Sequence, residues 1–338
     1  MLHIDARPFD LTLTTPFRIS RGVQNTSPNV VVQINYDDYT GYGEAAPDEY
    51  YGENQQTVLA CMSAFAGNLG DDPFVIEDIM RRLDKIIRLN PSAKAAVDMA
   101  LYDVVGKILH VPVYKLLGLN PKHTPHTSFT IGIDTPAEMA KKALLAKDYP
   151  ILKIKVGTRH DLDIIKAIRD VTNAVIRVDA NTAWTPKEAI KMINELAAYA
   201  IEFVEQPTVA HDFSGLKLIR DNVAVPIIAD ESCVTVEDIP RLVDCVDGIN
   251  IKLMKCGGIG HALKMIHVAR AHNLRVMIGC MIESSLAITA AAHLTPLVDY
   301  ADLDGHLLIS DDPYVGVTVD KGKLVLPDTP GLGVKART

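Results

Sequence analysis

Lysines and carboxylic acids recur at regular intervals through the second half of this 338-residue sequence. Each follows a short run of apolar and β-branched residues, at the point where a strand would end. Roughly 25 residues, the length of one strand, one helix and their loops, separate the successive groups. In chain order the residues are Lys153 and Lys155, Asp179 and Asn181, Glu205, Asp230 and Glu231, Lys252, Glu283, and Asp302 and Asp304. The spacing predicts repeated βα units that hold these side chains at one level.

Three of these acids suit a metal site. Asp179, Glu205 and Asp230 would bring three carboxylates together, and hard divalent cations such as Mg²⁺ prefer oxygen ligands. No histidine stands close to these positions in the sequence, which argues against zinc. Without a cation the carboxylates would repel one another. We therefore expect one Mg²⁺ ion in the active site.

The lysines flank this metal site on two sides. Lys153 and Lys155 are two residues apart, so both face the inside of a barrel, and Lys252 ends a strand on the opposite side. This arrangement suits removal of a proton α to a carboxylate, because the metal can stabilise an enediolate while one lysine removes the proton and the other returns it. Lys255, one turn beyond Lys252, is expected in a loop or at the surface.

The elements that would position these groups form an eight-fold pattern. The predicted strands are 127–131, 151–156, 175–178, 201–204, 226–229, 248–251, 275–278 and 300–301, with amphipathic helices between them. Eight evenly spaced units favour a closed sheet over an open doubly wound one. We therefore expect an α/β fold, a modified (β/α)7β barrel with an α+β capping domain.

The remaining segments would build that cap. We expect a capping domain over residues 1–123, the barrel over 124–314, and a tail, 315–338, that returns to the cap. Two alternating segments near 11–13 and 30–36 predict an antiparallel meander with a turn at Asp37-Asp38. Polar loops are expected at 17–29 and 48–56, and they would set substrate specificity over the barrel mouth.

Composition excludes several classes of protein. The chain has 34 basic and 42 acidic residues, a net charge of −8, which argues against nucleic-acid binding. No apolar run is long enough for a membrane span, and the first residues do not resemble a signal peptide. The five cysteines are far apart and form no metal-binding pattern, as in a reducing compartment. We expect a cytoplasmic homo-oligomer that acts on a small molecule.

The combined motifs resemble a known family. KxK at 153–155, DxN at 179–181, EQP at 205–207, ADES at 229–232 and IKLMKCGG at 251–258 are similar to those of the enolase superfamily, muconate-lactonising subgroup. The resemblance covers essentially the whole chain, including GYGEAAP at 41–47 and PGLGV at 330–334. Asp302-Leu303-Asp304 resembles the DxD motif of dipeptide epimerases of the L-Ala-D/L-Glu type.

This resemblance implies roles for individual residues. Mg²⁺ would bind Asp179, Glu205 and Asp230, and Lys155 and Lys252 would be the opposed acid and base of a two-base 1,1-proton transfer at the C-terminal residue of a dipeptide. The other implied or expected substrate contacts are Lys153 on the substrate carboxylate, Asp302 and Asp304 on the α-ammonium, Arg21 on an acidic side chain, and Thr130, Asn181, Cys280 and Glu283 along the pocket.

Other readings of the same scaffold stay open. An o-succinylbenzoate synthase, an N-acylamino acid racemase or a muconate cycloisomerase would keep the metal and the lysines, but its substrate would lack a free α-ammonium. A barrel that only binds a ligand is a more distant alternative. The preferred dipeptide, and a role in peptidoglycan recycling or in peptide catabolism, are not determined by these residues.

Overall fold

The N-terminal part is a three-stranded antiparallel sheet in a computed structural model that describes residues 1–337. Its strands are β1 His3–Ile19, β2 Gly22–Tyr36 and β3 Tyr39–Ala45. Val30, Val32 and Ile34 are fully buried and face the cap helices, while Val31 between them joins the barrel core. Because successive side chains on a strand point to opposite faces, this sheet packs on both sides.

Helices cover one face of this sheet. They are α1 Gln55–Phe65, α2 Ile76–Ile86, α3 Pro91–Ile108 and α4 Val113–Leu116. Helix α3 lies directly on β3, since a Cβ at Gly41 or Gly43 would collide with the carbonyl group of Ala100 or Ala96. The two glycines therefore set the close approach of cap helix and cap sheet.

The prediction of a loop at 17–29 is wrong, because this segment is the far end of the β1–β2 hairpin. Ile19 pairs with Gly22, and Ser20 and Arg21 form the turn. Most side chains near this tip are exposed, so the segment lacks the apolar alternation that predicts strands. The turn predicted at 37–38 is confirmed, with Asp37 at a φ of 49°.

The barrel prediction is confirmed by an eight-stranded parallel sheet in sequence order. The strands are β4 Phe129–Ile131, β5 Ile151–Lys155, β6 Val175–Asp179, β7 Ile201–Glu205, β8 Ile227–Ala229, β9 Gly248–Lys252, β10 Arg275–Gly279 and β11 Tyr300–Asp302. The first and last strands meet through one isolated bridge between Thr127 and Ala301. The sheet is thus a nearly closed barrel and not an open doubly wound sheet.

Helices alternate with these strands on the outside. They are α5 Pro136–Leu145, α6 Asp161–Arg169, α7 Pro186–Leu196, α8 Phe213–Asn222, α9 Ile239–Leu242, α10 Leu253–Cys256, α11 Ile259–Ala271 and α12 Ser285–Ala292. Thr135 and Thr185 cap α5 and α7, each followed by a proline in the first turn, and such caps start a helix right after a βα loop. Inside the barrel, Phe203, Ile228 and Met277 form an apolar layer one or two residues before the strand ends.

The C-terminal segment adds four short strands, β12 Tyr314–Val315, β13 Thr318–Asp320, β14 Lys323–Val325 and β15 Lys335–Ala336. Gly331 forms a bridge with Pro112, and the Leu332 N–H donates to Asp103 on α3 over 2.8 Å. The Leu332 carbonyl also contacts His293 Nε2, just after α12, at 3.0 Å. No helix within residues 1–337 has both the length and the apolar character needed to cross a bilayer.

Candidate active site

The predicted polar residues lie at one level of the barrel. Lys155 is in register with Asp179, and Asp179 is in register with Glu205. On the other side, Gly279 is in register with both Lys252 and Asp302. Backbone pairing between neighbouring strands therefore brings the carboxyl ends of β5, β6, β7, β9 and β11 to the same height, as the sequence spacing predicted.

Lys153 lies at the centre of the acidic residues and is 2% exposed. Its Nζ is 3.0 Å from Asp179 Oδ2, 2.8 Å from Glu205 Oε2 and 2.6 Å from Asp302 Oδ2. Burial disfavours the ammonium, but these carboxylates outweigh burial and hold the pKa of Lys153 well above its ordinary value. Lys153 thus stays protonated and positively charged, which suits it to binding an anion.

The two lysines predicted as acid and base lie on opposite walls. Lys155 Nζ is 2.7 Å from Asp179 Oδ2 on β6, and Lys252 Nζ is 2.9 Å from Asp230 Oδ2 after β8. Strands β5 and β9 are four positions apart in the eight-stranded sheet, which places the lysines across the barrel axis. Burial opposes the charge of Lys252, but Asp230 outweighs it and raises the pKa of Lys252.

The prediction for Lys255 is wrong, because this residue is 1% exposed. Helix α10 begins directly after Lys252, and its first turn directs Lys255 Nζ onto Asp230 Oδ1 at 2.6 Å and the Asn250 carbonyl at 3.0 Å. Both Asp230 oxygens therefore contact lysines. The pKa of Asp230 lies well below its ordinary value because Lys252 and Lys255 outweigh the effect of burial.

Glu205 differs from its two neighbours. Burial and the nearby Asp179 raise the pKa of Glu205 to about 8. Its Oε1 accepts a hydrogen bond from Asn250 Nδ2 at 2.8 Å, whereas its buried Oε2 has the ion contact with Lys153 but no hydrogen bond. A further positive charge nearby would stabilise the ionised form of the Glu205 carboxyl.

A metal ion fits this set of donors. Within residues 1–337 no three His, Cys, Asp or Glu side chains are gathered as metal ligands would be, since lysine ammonium groups lie between the carboxylates. Lys153 thus occupies the place of a cation between Asp179 and Glu205. Glu205 Oε2 and Asn181 Oδ1, which accept no hydrogen bond, are hard donors of the kind that Mg²⁺ prefers.

Asp302 and Asp304 close the site on the β11 side. Asp302 Oδ1 accepts from Ser128 Oγ at 2.6 Å, and Asp304 Oδ2 accepts from the Thr130 N–H at 2.6 Å. Burial raises the pKa of Asp304 to about 7, and the neighbouring Asp302 adds to this. Burial acts on Asp302 too, but Lys153 outweighs it and lowers the pKa of that carboxyl. Thr130 is thus at the site, through its backbone.

Three further predicted residues surround these groups. Glu283 is 2% exposed and accepts from the Met281 N–H at 2.7 Å, and burial raises its pKa to about 8. Burial also raises the pKa of the Cys280 thiol well above its ordinary value, which keeps it protonated and argues against a nucleophile. The Asn181 N–H donates to Asp179 Oδ1 at 2.9 Å and so helps to orient that carboxylate.

The hairpin tip of the cap reaches the barrel mouth. Arg21 Nη1 is 2.5 Å from Glu231 Oε1, and the guanidinium lies 4.4 Å above the centre of the Tyr50 ring. Ser20 Oγ donates to the Asn181 carbonyl at 2.9 Å. Arg21, predicted to meet an acidic substrate, therefore has a partner within the chain. We call Arg21, Glu231 and Tyr50 the mouth clasp.

Sequence reasoning missed some of this site. The partnership of Arg21 with Glu231 joins positions far apart in the chain, and the role of Ser128 depends on the meeting of β4 and β11. The burial of Lys255 was open to prediction, because a residue three positions after Lys252 at the start of a helix returns toward the same side.

Family models and known proteins match nearly the whole length of the chain. Residues 3–118 match the model of the mandelate racemase / muconate lactonizing enzyme N-terminal domain, and residues 136–338 match the enolase C-terminal domain-like model. An L-Ala-D/L-Glu epimerase of Bacteroides thetaiotaomicron is 44% identical over 97% of this chain and 86% of its own length. The chain therefore belongs to the mandelate racemase / muconate lactonizing enzyme family of the enolase superfamily, which confirms the predicted resemblance.

Two solved structures show how far the likeness extends. A dipeptide epimerase from Enterococcus faecalis V583, complexed with Mg and the dipeptide L-Leu-L-Tyr, has a TM-score of 0.94 and 39% identity, covering 99% of both chains. An N-succinyl Arg/Lys racemase from Bacillus cereus also has a TM-score of 0.94, with 31% identity over 99% of this chain and 95% of its own. The fold is thus shared by enzymes whose names differ in substrate.

Proposed function

We propose that this chain is a Mg²⁺-dependent dipeptide epimerase that inverts the α-carbon of the C-terminal residue of an L,L-dipeptide, such as L-Ala-L-Glu. The observation that carries the proposal is the combination of opposed lysines, Lys155 and Lys252, with two buried carboxylates: Asp302 at the end of β11 and Asp304 just after it. The names of the relatives from B. thetaiotaomicron and E. faecalis support the same reaction.

The chain's own residues account for how the substrate would be held. Lys153, a fixed cation, would bind the substrate carboxylate, and Asp302 and Asp304 would bind the α-ammonium through charge-assisted contacts. The α-carbon would then lie between Lys155 and Lys252. Mg²⁺, one ion per site held by Asp179, Glu205 and Asp230, would supply positive charge beside the substrate carboxylate when bound.

The proton would then move between the two lysines. One lysine, as a neutral amine, takes the α-proton, and the other delivers a proton to the opposite face, so the configuration inverts. A lysine must drop from a pKa of about 10.4 to about 8 for this, which costs about 3.3 kcal/mol. Asp230 favours the ammonium form of Lys252 in this structure, so engaging that carboxylate elsewhere would favour the neutral amine.

A racemase acting on N-acylated amino acids is the second candidate, because the B. cereus N-succinyl Arg/Lys racemase shares the fold. Such a substrate has no free α-ammonium, so the carboxylates of Asp302 and Asp304 would then face a neutral or anionic group. Burying charges without partners is costly. The Asp302–Asp304 pair therefore favours the dipeptide.

Proton NMR in D₂O tests the proposal. The enzyme with Mg²⁺ and a pool of L,L-dipeptides should exchange the α-proton of the C-terminal residue and form the L,D diastereomer, and a chelator should abolish both until Mg²⁺ is restored. Activity on N-succinyl amino acids alone would support the second candidate. Failure with both pools would contradict an epimerase or racemase and favour a binding protein.

The setting of the enzyme is also a proposal. We propose a cytoplasmic location, since all five cysteines are free thiols. That the enzyme is a homo-oligomer is a separate proposal, which size-exclusion chromatography with light scattering would test. We further propose that residues 1–123 form the cap, 124–314 the catalytic barrel and 315–338 a tail on the cap. The bridge of Gly331 to Pro112 and the hydrogen bond of Leu332 to Asp103 support the last assignment.

A further inference from the structure

The barrel has a seam between its first and last strands. In the part of the chain that the structure describes, β4 and β11 form no ladder: an isolated bridge joins Thr127, just before β4, to Ala301, and the Leu303 N–H donates to Thr127 Oγ1 at 2.7 Å. Every other pair of neighbouring barrel strands has at least two consecutive register pairs. The Ala301 carbonyl accepts from the Ser128 N–H at 3.2 Å and from Arg177 Nη1, across the barrel, at 2.9 Å. On its other side β11 has three consecutive register pairs with β10, so only the side of β11 that faces β4 is held mainly by individual hydrogen bonds.

Above this bridge the seam is joined by the side chains of the site itself. Ser128 Oγ donates to Asp302 Oδ1 at 2.6 Å, and the Thr130 N–H donates to Asp304 Oδ2 at 2.6 Å. A backbone ladder would fix β11 whatever its side chains are. Here the carboxylates that would bind the substrate ammonium are also the groups that tie β11 to β4.

Ser128 has a distinct place among these contacts. It is fully buried, so its hydroxyl needs a partner, and that partner is a carboxylate of the site. Asp302 is held from two sides, by Ser128 on Oδ1 and by Lys153 on Oδ2. If Lys153 turns to the substrate carboxylate, as the proposed function requires, Ser128 is the side chain that still orients Asp302.

We propose that Ser128 is a positioning residue for recognition of the substrate α-ammonium, acting through Asp302. The proposal rests on the proposed function, because it needs a substrate with a free α-ammonium. The serine hydroxyl holds Oδ1, leaves Oδ2 toward the site, and fixes the plane of the carboxylate at the unpaired edge of the barrel. Loss of this hydrogen bond should weaken substrate binding and leave the proton transfer between Lys155 and Lys252 nearly unchanged.

The test separates KM from kcat in Ser128→Ala. A hydrogen bond to a charged group is worth enough for about a ten-fold effect, so we expect KM for a free dipeptide to rise about ten-fold and kcat to change by less than about three-fold. Ser92→Ala is the matched control, because Ser92 is equally buried and donates to the Glu53 carboxylate at 2.8 Å in the cap. It should lose similar thermal stability with an unchanged KM.

Each outcome decides the proposal. An unchanged KM in Ser128→Ala, in an enzyme whose parent is active, contradicts it, and so does an equal rise of KM in Ser92→Ala. If Ser128→Ala does not fold, Ser128→Cys keeps the shape with a weaker donor and should show the same rise of KM in smaller measure; an unchanged KM there also contradicts the proposal. A parent enzyme that turns over no dipeptide contradicts the proposed function, and this proposal with it.

Discussion

The strand ends of the barrel and the mouth clasp of the cap hold their charges in different ways. In the barrel, Lys153, Asp179 and Glu205 are at most 2% exposed, and each belongs to a strand in register with its neighbours. In the clasp, the Arg21 side chain is 28% exposed and stands at the turn of a hairpin. Paired strands thus position the charged residues of the barrel, whereas the cap is held over the site by the Arg21–Glu231 ion pair and the Tyr50 ring.

This difference has a physical cause. A barrel strand is paired on two sides, so a displaced side chain requires displacement of several backbone hydrogen bonds. The hairpin tip instead touches the barrel through single contacts, such as the Ile133 N–H to the Arg18 carbonyl at 2.8 Å and Ser20 Oγ to the Asn181 carbonyl. Changes at the charged strand ends of the barrel should therefore lower the reaction more than changes in the cap.

The largest effect is expected for the two lysines. Lys155→Ala and Lys252→Ala should each lower epimerisation by about 10³-fold or more, since general acid–base groups contribute up to about 10⁴-fold. Each variant should keep α-proton exchange with one diastereomer only, because the other lysine still serves its own face. The measurement is α-proton loss in D₂O, with the L,L and L,D dipeptides supplied separately.

Lys191→Ala, an exposed lysine on α7, is the matched control and should leave both exchange reactions unchanged. Full activity in either active-site variant would contradict the two-base mechanism. Loss of both exchange reactions in both variants would contradict the assignment of one lysine to each face.

A smaller effect, still inside the barrel, is expected for Asp304→Asn. The substitution keeps an oxygen acceptor for the Thr130 N–H but removes the negative charge that would meet the substrate ammonium. We expect kcat/KM for a dipeptide to fall about 10- to 100-fold, mostly through KM. The measurement is steady-state kinetics at pH 8, above the pKa of about 7 of the wild-type Asp304 carboxyl. Unchanged kinetics would remove the main reason to prefer a dipeptide over an N-acylated amino acid as substrate.

The same division explains what the sequence could predict. Barrel strands repeat one pattern, so Asp179 and Glu205 could be placed at one level from their spacing alone, and the structure agrees. The contacts of Arg21 and of Ser128 were not predictable in this way. They join the cap to the barrel and the first strand to the last, and no local periodicity reports such pairs.

The strands of the hairpin tip could not be predicted from the sequence either. Its strands are exposed near the turn, so apolar alternation, the main signal of a strand, is absent there. Lys255 was misplaced for another reason. Four backbone and side-chain oxygens satisfy its ammonium in the interior. Its spacing of three residues from Lys252 was the signal of this burial, and composition does not report it.

The joint between cap and barrel offers a test of stability. Asp98 on α3 is fully buried and accepts the Ile259 N–H at 2.8 Å at the start of α11. Burial raises the pKa of Asp98 to about 7, although the hydrogen bond from the Ile259 N–H favours the anion. Between its ordinary pKa and about 7 the folded chain holds a proton that the unfolded chain releases, so this group makes stability fall as the pH rises through that window.

Asp98→Asn should therefore reduce the loss of stability between pH 5 and pH 7. One pKa unit corresponds to about 1.4 kcal/mol, so we expect a difference of about 2 kcal/mol from the wild type over this interval, measured by urea unfolding at both pH values. Asp212→Asn is the matched control, since Asp212 caps α8 in a half-buried position. If stability depended on pH equally in the wild type and in Asp98→Asn, the Asp98 carboxyl would not titrate in this range.

The smallest effect is expected in the mouth clasp, and its pattern decides what Arg21 does. If Arg21 serves mainly to hold the hairpin on Glu231, Arg21→Met should lower kcat/KM by about three- to ten-fold for every dipeptide alike, as expected for an ion pair worth about 1 kcal/mol. A double-mutant cycle with Glu231→Gln should show that the two losses are not additive. If Arg21 leaves Glu231 to bind an acidic side chain, the loss should be confined to substrates such as L-Ala-L-Glu, and L-Ala-L-Leu should be unaffected. Kinetics with these two dipeptides thus show whether the cap only covers the site or also chooses its substrate.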